Sequence, residues 1–123
     1  MATLREKQHL NDLLLNSFPH PAMLINKNRV VLAANKIALD SGAVIGGYCW
    51  KEFFKCEYLS DEHNKLAIKN PHDDRIKCKF CLAGEAMDGS MRTANDESVN
   101  ALDRIWDTYW VPLNDEIYLH YDH

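Results

Sequence analysis

The sequence predicts an α+β fold: a five-stranded antiparallel sheet with short helices on one face and an N-terminal helix. Three observations carry that expectation. Residues 3–17 place Leu4, Leu10, Leu13, Leu14 and Phe18 at the three- and four-residue spacing of an amphipathic helix. Two short apolar runs follow, parted by the turn-forming Asn26-Lys27-Asn28-Arg29. The C-terminal third alternates as half-buried strands do. Strands grouped two and three around a run of short helices indicate an antiparallel sheet rather than parallel βαβ units.

Taken in order, the first helix ends before Pro19 and Pro21, because proline disfavours helix in the residue before it and has no backbone donor. Ala22–Ile25 and Val30–Ala34 are the strands of a tight hairpin, since asparagine tolerates the positive φ such turns need. Asn35 opens a short helix that Gly42 stops, and Gly46-Gly47 breaks the chain ahead of a turn or two of helix over YCWKEFF. Lys55–Lys77 is polar and carries the turn-like Asn70-Pro71-His72-Asp73, with no element assigned to it. LAGEAM has helical character up to Asp88-Gly89. A weakly patterned strand falls within Ser90–Asn100. Arg104–Leu113 alternates with Trp106, Thr108 and Trp110 on one face and Ile105, Tyr109 and Val111 on the other. Ile117–Tyr121 returns after Asn114-Asp115 as the last strand, with His120 expected to face solvent or a partner chain.

Length and composition bound the function. A chain of 123 residues makes one domain with a single core, divided here into an N-terminal helix over residues 1–18, a possible dimer contact, and a sheet domain over 19–123. A net charge of −4, with lysines and arginines scattered, argues against a nucleic-acid partner. No apolar run is long enough to cross a membrane, and the N-terminus has no signal-peptide pattern, so the expected setting is the cytoplasm, where thiols stay reduced.

The most chemically specific feature is the set of four cysteines, Cys49, Cys56, Cys78 and Cys81, of which the last two form a Cys-x-x-Cys pair. Thiolates suit zinc or an iron–sulfur cluster, and four of them satisfy either, so the donor count does not choose between the two. Cys49 and Cys56, seven apart, share roughly one face if helix continues between them. His63 and His72 are alternative nitrogen donors. Against metal stand two other readings: free cysteines that pack as small hydrophobes, and a reversible dithiol–disulfide switch at Cys78 and Cys81. A thiol oxidoreductase would need a core strand before that pair, and HDDRIK does not read as one.

The order and spacing of four segments resemble those of the PAS domain family: FPHPAMLINKNRVVLAANKIALD as the opening hairpin, GGYCWKEFF as the glycine-then-helical-turn segment, RIWDTYWVPL as the long penultimate strand, and IYLHYDH as the final strand. The resemblance covers roughly residues 14–123. It implies a non-enzymatic sensory or regulatory module in signal transduction, paired as a homodimer through its N-terminal helix. Its implied output is a domain such as a histidine kinase, in the same or a partner chain. A narrower resemblance, to the cysteine-containing PAS domains of bacterial and archaeal signalling proteins, matches Cys49, Cys78 and Cys81. It implies a metal or iron–sulfur centre sensing redox state or oxygen, with a small ligand as a further signal. Cys56 is additional to that pattern and leaves the fourth ligand open. A haem-ligating histidine near Leu82–Met87 and a flavin photochemical motif are both absent.

Trp50, Phe53, Trp106, Tyr109 and Trp110 form a candidate small-molecule pocket, against which stands the simpler reading that they fill the core. No Ser-His-Asp set, phosphate-cradling glycine loop or paired-carboxylate motif occurs. The competing function is a metal-free dimerisation or protein-interaction module.

Overall fold

The computed structural model describes residues 3–79, 81–88, 91–101 and 104–122, with the side chains of 4, 5, 7, 8, 11, 92–101 and 104–107 left out of that description. The first helix, α1 (Leu4–Asn16), is capped by the Thr3 hydroxyl, which accepts from the Glu6 amide at 3.1 Å. Its Leu15 packs inward while Leu10 and Leu14 stand 60% and 66% exposed, so the apolar stripe is not spent on the chain's own sheet.

The hairpin forms where the sequence places it, between β1 (Ala22–Asn26) and β2 (Val31–Ala34). The positive φ falls on Arg29 (67°) rather than on an asparagine. The asparagine contributes differently: Asn26 Oδ1 accepts from the amides of Asn28 and Val30 and ties the turn down. Asn35 then caps α2 (Lys36–Asp40).

Two expectations are corrected in the middle of the chain. The helical turn at Cys49–Phe53 is a wide one, closed by the Phe54 amide on the Cys49 carbonyl, and Lys55 and Cys56 beyond it are left-handed (φ 54° and 60°). Cys56 therefore does not continue a helical face with Cys49. The polar stretch without an assigned element contains α3 (Asp61–Lys69), capped by Ser60. It buries no residue, which is why its sequence shows no apolar stripe. The short helix α4 (Ala83–Met87) is where LAGEAM implies it, and buries Ala83 and Ala86.

The strands β3 (Arg92–Ala101), β4 (Arg104–Pro112) and β5 (Ile117–Asp122) complete an antiparallel sheet in the order β2-β1-β5-β4-β3. The N-terminal hairpin thus lies beside the last strand. Register sets Met23 opposite His120 and His120 opposite Trp110, and Ile25 opposite Tyr118, so these residues share the inner face. That face is covered by the 49–54 turn and the short helices, and Trp50, Phe53, Phe54, Ile76, Ala83 and Ala86 fill the space. His120, expected outside, is 2% exposed. On the outer face Tyr109 stacks on Tyr121 with centroids 4.6 Å apart, and Phe18 follows at 5.1 Å.

Candidate functional site

The four cysteines reach one region of the interior from three separate segments. Gly42 prepares the first. Its φ of 118° carries the chain beneath the Glu52 carbonyl, where a Cβ would sit 3.0 Å from the oxygen. The 49–53 turn is thereby held against the sheet, and the Cys49 amide donates to the Arg29 carbonyl at 3.1 Å. Cys78 pairs across to Leu59 in an isolated bridge, with the Lys79 amide on the Tyr58 carbonyl at 2.8 Å. Cys81 closes a turn back on Cys78, its amide donating to the Cys78 carbonyl at 3.1 Å. Cys49, Cys78 and Cys81 are buried, Cys56 is half-buried, and all four thiols are free. Cys56 opens onto a small groove with Trp50, Asn64, Ala67 and Ile68.

Arg29, which the sequence reading passed over, belongs to this cluster. Its left-handed backbone directs the side chain inward, where it is 8% exposed. Burial opposes its charge, whereas Cys81, Tyr118 and Cys49 around it favour the charge, and the balance raises its pKa. Burial first, and Cys81 second, push the Cys49 thiol up to about 12 against a smaller downward pull from Arg29. Burial likewise pushes Cys78 and the Tyr118 phenol well up.

Proximity is not ligation. Among the described residues no three of the histidine, cysteine, aspartate and glutamate side chains converge as a metal site. The two histidines offered as substitutes are engaged elsewhere: His63 Nδ1 meets the Lys77 carbonyl at 3.1 Å, and His72 Nδ1 meets the Tyr48 hydroxyl at 3.0 Å. The donor set as arranged does not fit the zinc or iron–sulfur centre that the cysteine count implies.

A second polar group lies along the same inner face. Nε2 of His120 is 3.7 Å from Oδ1 of Asp122, with both side chains 3% exposed. Burial pushes His120 down to about 4 and Asp122 up to about 7. The Thr108 hydroxyl lies close enough to draw Asp122 down somewhat, yet outside hydrogen-bond geometry. The Tyr118 hydroxyl, Thr108 Oγ1, His120 Nε2 and Asp122 Oδ1 are all buried without a hydrogen-bond partner.

The expected aromatic pocket is divided. Trp50, Phe53 and Trp110 are core residues, Tyr109 lies on the opposite face of the sheet, and the side chain of Trp106 is outside the described residues. The inner-face polar residues were readable as a set, because Tyr118, His120 and Asp122 follow one another at the two-residue period of a strand.

No family model matches the chain, and no curated protein does. Among solved structures the chain is similar to the PAS domain from Bordetella pertussis BvgS, with a TM-score of 0.52 and 17% identity over 94% of this chain and 84% of that one. At that identity the likeness concerns the fold, which is PAS-like.

Proposed function

We propose that this chain is a sensory or regulatory module of signal transduction, without catalytic activity of its own, that responds to what occupies its interior. The supporting observation is the inner face of the sheet, where the Tyr118 hydroxyl, Thr108 Oγ1, His120 Nε2 and Asp122 Oδ1 are buried without hydrogen-bond partners. Each such atom costs about 1–3 kcal/mol, a cost that a bound molecule with matching donors and acceptors would relieve. A ligand selective for the folded state stabilises it by mass action, and an output domain such as a histidine kinase would read the change.

Native mass spectrometry of the chain purified from cells tests this, together with thermal unfolding before and after extraction of any bound molecule. A small molecule that co-purifies with the native chain, and is lost from His120→Leu and Asp122→Leu, is the expected result. A chain that carries nothing, and whose melting temperature no small-molecule library shifts, would sink the sensory reading.

A second reading has its own support. Leu10, Leu13 and Leu14 are exposed on α1. An apolar helix face of this kind suits a homodimer contact. Sedimentation at rising concentration should show a dimer that Leu10→Glu with Leu14→Glu dissolves, whereas a strict monomer removes this reading.

A further inference from the structure

The last strand buries two ionisable side chains next to each other on the inner face of the sheet. His120 Nε2 and Asp122 Oδ1 are 3.7 Å apart, each side chain is 3% exposed, and neither atom has a hydrogen-bond partner. A charge in such a place is kept only where a counter-charge or hydrogen bonds meet it. The neighbouring elements offer neither. The Phe54 ring of the 49–54 turn meets His120 edge to face at 5.9 Å, and the Trp110 ring of β4 does so at 5.6 Å. Met23 of β1 is opposite His120 in register, and Thr108 of β4 is opposite Asp122. Helix α4 buries Ala83 and Ala86 and leaves Glu85 exposed. Tyr118 on the same strand face is held neutral by burial, Tyr121 lies on the outer face, and His20 is half-buried ahead of Pro21. Among the described residues no charged side chain acts on either member of the pair. The side chains of Arg92 on β3 and of Arg104 and Asp107 on β4 lie outside the described residues.

The pair sits where β5 ends against the connection from α1 to β1. The Asp122 amide donates to the Pro21 carbonyl at 3.2 Å, and the adjacent Tyr121 ring meets Phe18, just beyond α1, at 5.1 Å. A protonated Asp122 is neutral and leaves this end of the strand dry. Burial holds that proton on the carboxyl up to about pH 7, and it pushes the neighbouring imidazole down to about 4, so His120 does not take the proton over. A proton lost from Asp122 goes to water and leaves a buried carboxylate facing no cation. Asp122 is the last residue of β5, and element ends open locally before the middle of a strand does. Hydrating the carboxylate requires only that the Pro21 bond and the pairing with Thr108 be given up.

We propose that His120 and Asp122 form a proton-operated latch, which holds the end of β5 on Pro21 while Asp122 carries its proton and releases that end, with Phe18 and the end of α1, when the proton leaves. His120 sets the other limit, because its own protonation in acid puts a cation into the same dry space. The latch is closed in weak acid and opens on either side. It is worked by a proton alone, needs no bound molecule, and stands or falls separately from the reading of an interior ligand.

The test is amide hydrogen exchange on the full chain after extraction of any bound molecule, between pH 3 and 8, with each rate corrected for the intrinsic rate at that pH. Protection of the peptide that carries Ile117–Asp122 should fall about tenfold from pH 5 to pH 8, the factor that one pH unit beyond the Asp122 titration makes. Protection of α3 should not change over the same range. Asp122→Asn keeps the shape of the side chain without its ionisable proton and should stay closed at pH 8. His120→Leu should keep the alkaline loss and remove the acid one. The unmodified chain supplies a second readout, the NMR shifts of the Asp122 carboxyl carbon and the His120 ring through the same titration. A loss of protection at pH 8 that is as large in Asp122→Asn, or that is spread evenly over α3, would overturn the latch. So would an Asp122 carboxyl already ionised at pH 5, or a His120 ring still protonated at pH 6, since the pair would then be a closed ion pair.

Discussion

Two of the regions that bury polar side chains do it in opposite ways. At the junction of α1, β1 and α2, Asn35 is 1% exposed and every polar atom of its amide is used. Oδ1 accepts from the amides of Ala22 and Ala38, and Nδ2 donates to the carbonyls of Leu15 and His20, all between 2.8 and 3.1 Å. On the inner face of β4 and β5, Thr108, Tyr118, His120 and Asp122 are also buried, yet Thr108 Oγ1, the Tyr118 hydroxyl, His120 Nε2 and Asp122 Oδ1 have no hydrogen-bond partner. The first pattern locks three elements together. The second leaves buried donors and acceptors without hydrogen-bond partners. The difference separates polarity used for architecture from polarity held in reserve, a distinction that burial alone does not make.

The largest effect that sharpens this contrast is expected at Asn35. Asn35→Ala strands two buried amides and two carbonyls at once, and urea unfolding should show a loss of about 3–5 kcal/mol. A loss below about 1 kcal/mol would mean that water replaces the amide and the junction is not closed as described.

Next comes Asp122, where the sign depends on pH. Its carboxyl titrates at about 7 in the fold against an ordinary 3.8, so the folded chain holds the extra proton between those values and stability falls as pH rises through them. Asp122→Asn should therefore match the parent near pH 4 and exceed it by about 1–4 kcal/mol at pH 8. An asparagine variant less stable at pH 8 would show that the carboxylate has a partner when charged.

His120 supplies the mirror image. Its ring titrates at about 4 in the fold against an ordinary 6.5, so stability falls as pH drops through that window. In the parent the two slopes oppose each other between about pH 4 and 6.5, and the stability profile should be nearly flat there. Asp122→Asn should uncover the acid-side loss, and His120→Leu should uncover a gain toward acid. Parallel profiles for both variants would break the account.

Smaller again is Ser60, whose hydroxyl accepts from the His63 amide at 3.2 Å and caps α3. Ser60→Ala should cost about 1 kcal/mol in the same urea assay, the usual size for one cap without the four-way network of Asn35. The smallest effect belongs to the exposed Lys27–Glu116 pair at 3.6 Å. Glu116→Gln should change stability by less than about 0.5 kcal/mol, an upper reference for surface charge.

Much of this architecture was legible residue by residue. The α1 stripe, the hairpin around Asn26, the role of Asn35 as the residue that ends β2 and opens α2, and the alternation of β4 and β5 all rest on contacts between near neighbours. The α3 helix was not legible through periodicity, because a helix that buries nothing writes no apolar stripe; its signal was the cap, Ser60 followed by Asp61 and Glu62. The left-handed turn at Lys55 and Cys56 had no signal either, since neither residue is a type that favours positive φ. That turn removed Cys56 from the face it was expected to share with Cys49.

What the sequence determined by itself is which residues share a face: a period of two sets Tyr118, His120 and Asp122 together on β5, whatever the strand packs against. Only the tertiary structure decided which face is covered, because that depends on where the 49–54 turn and α4 lie, and so it buried His120 where solvent was expected. The same holds for the cysteines. Their spacing showed that they are near one another along the chain, but the buried Arg29, whose charge is felt in their surroundings, comes from a distant hairpin and is buried only once the sheet and its helical cover have closed. Local pattern fixes direction; the counter-charge of a buried group is a property of everything that packs around it.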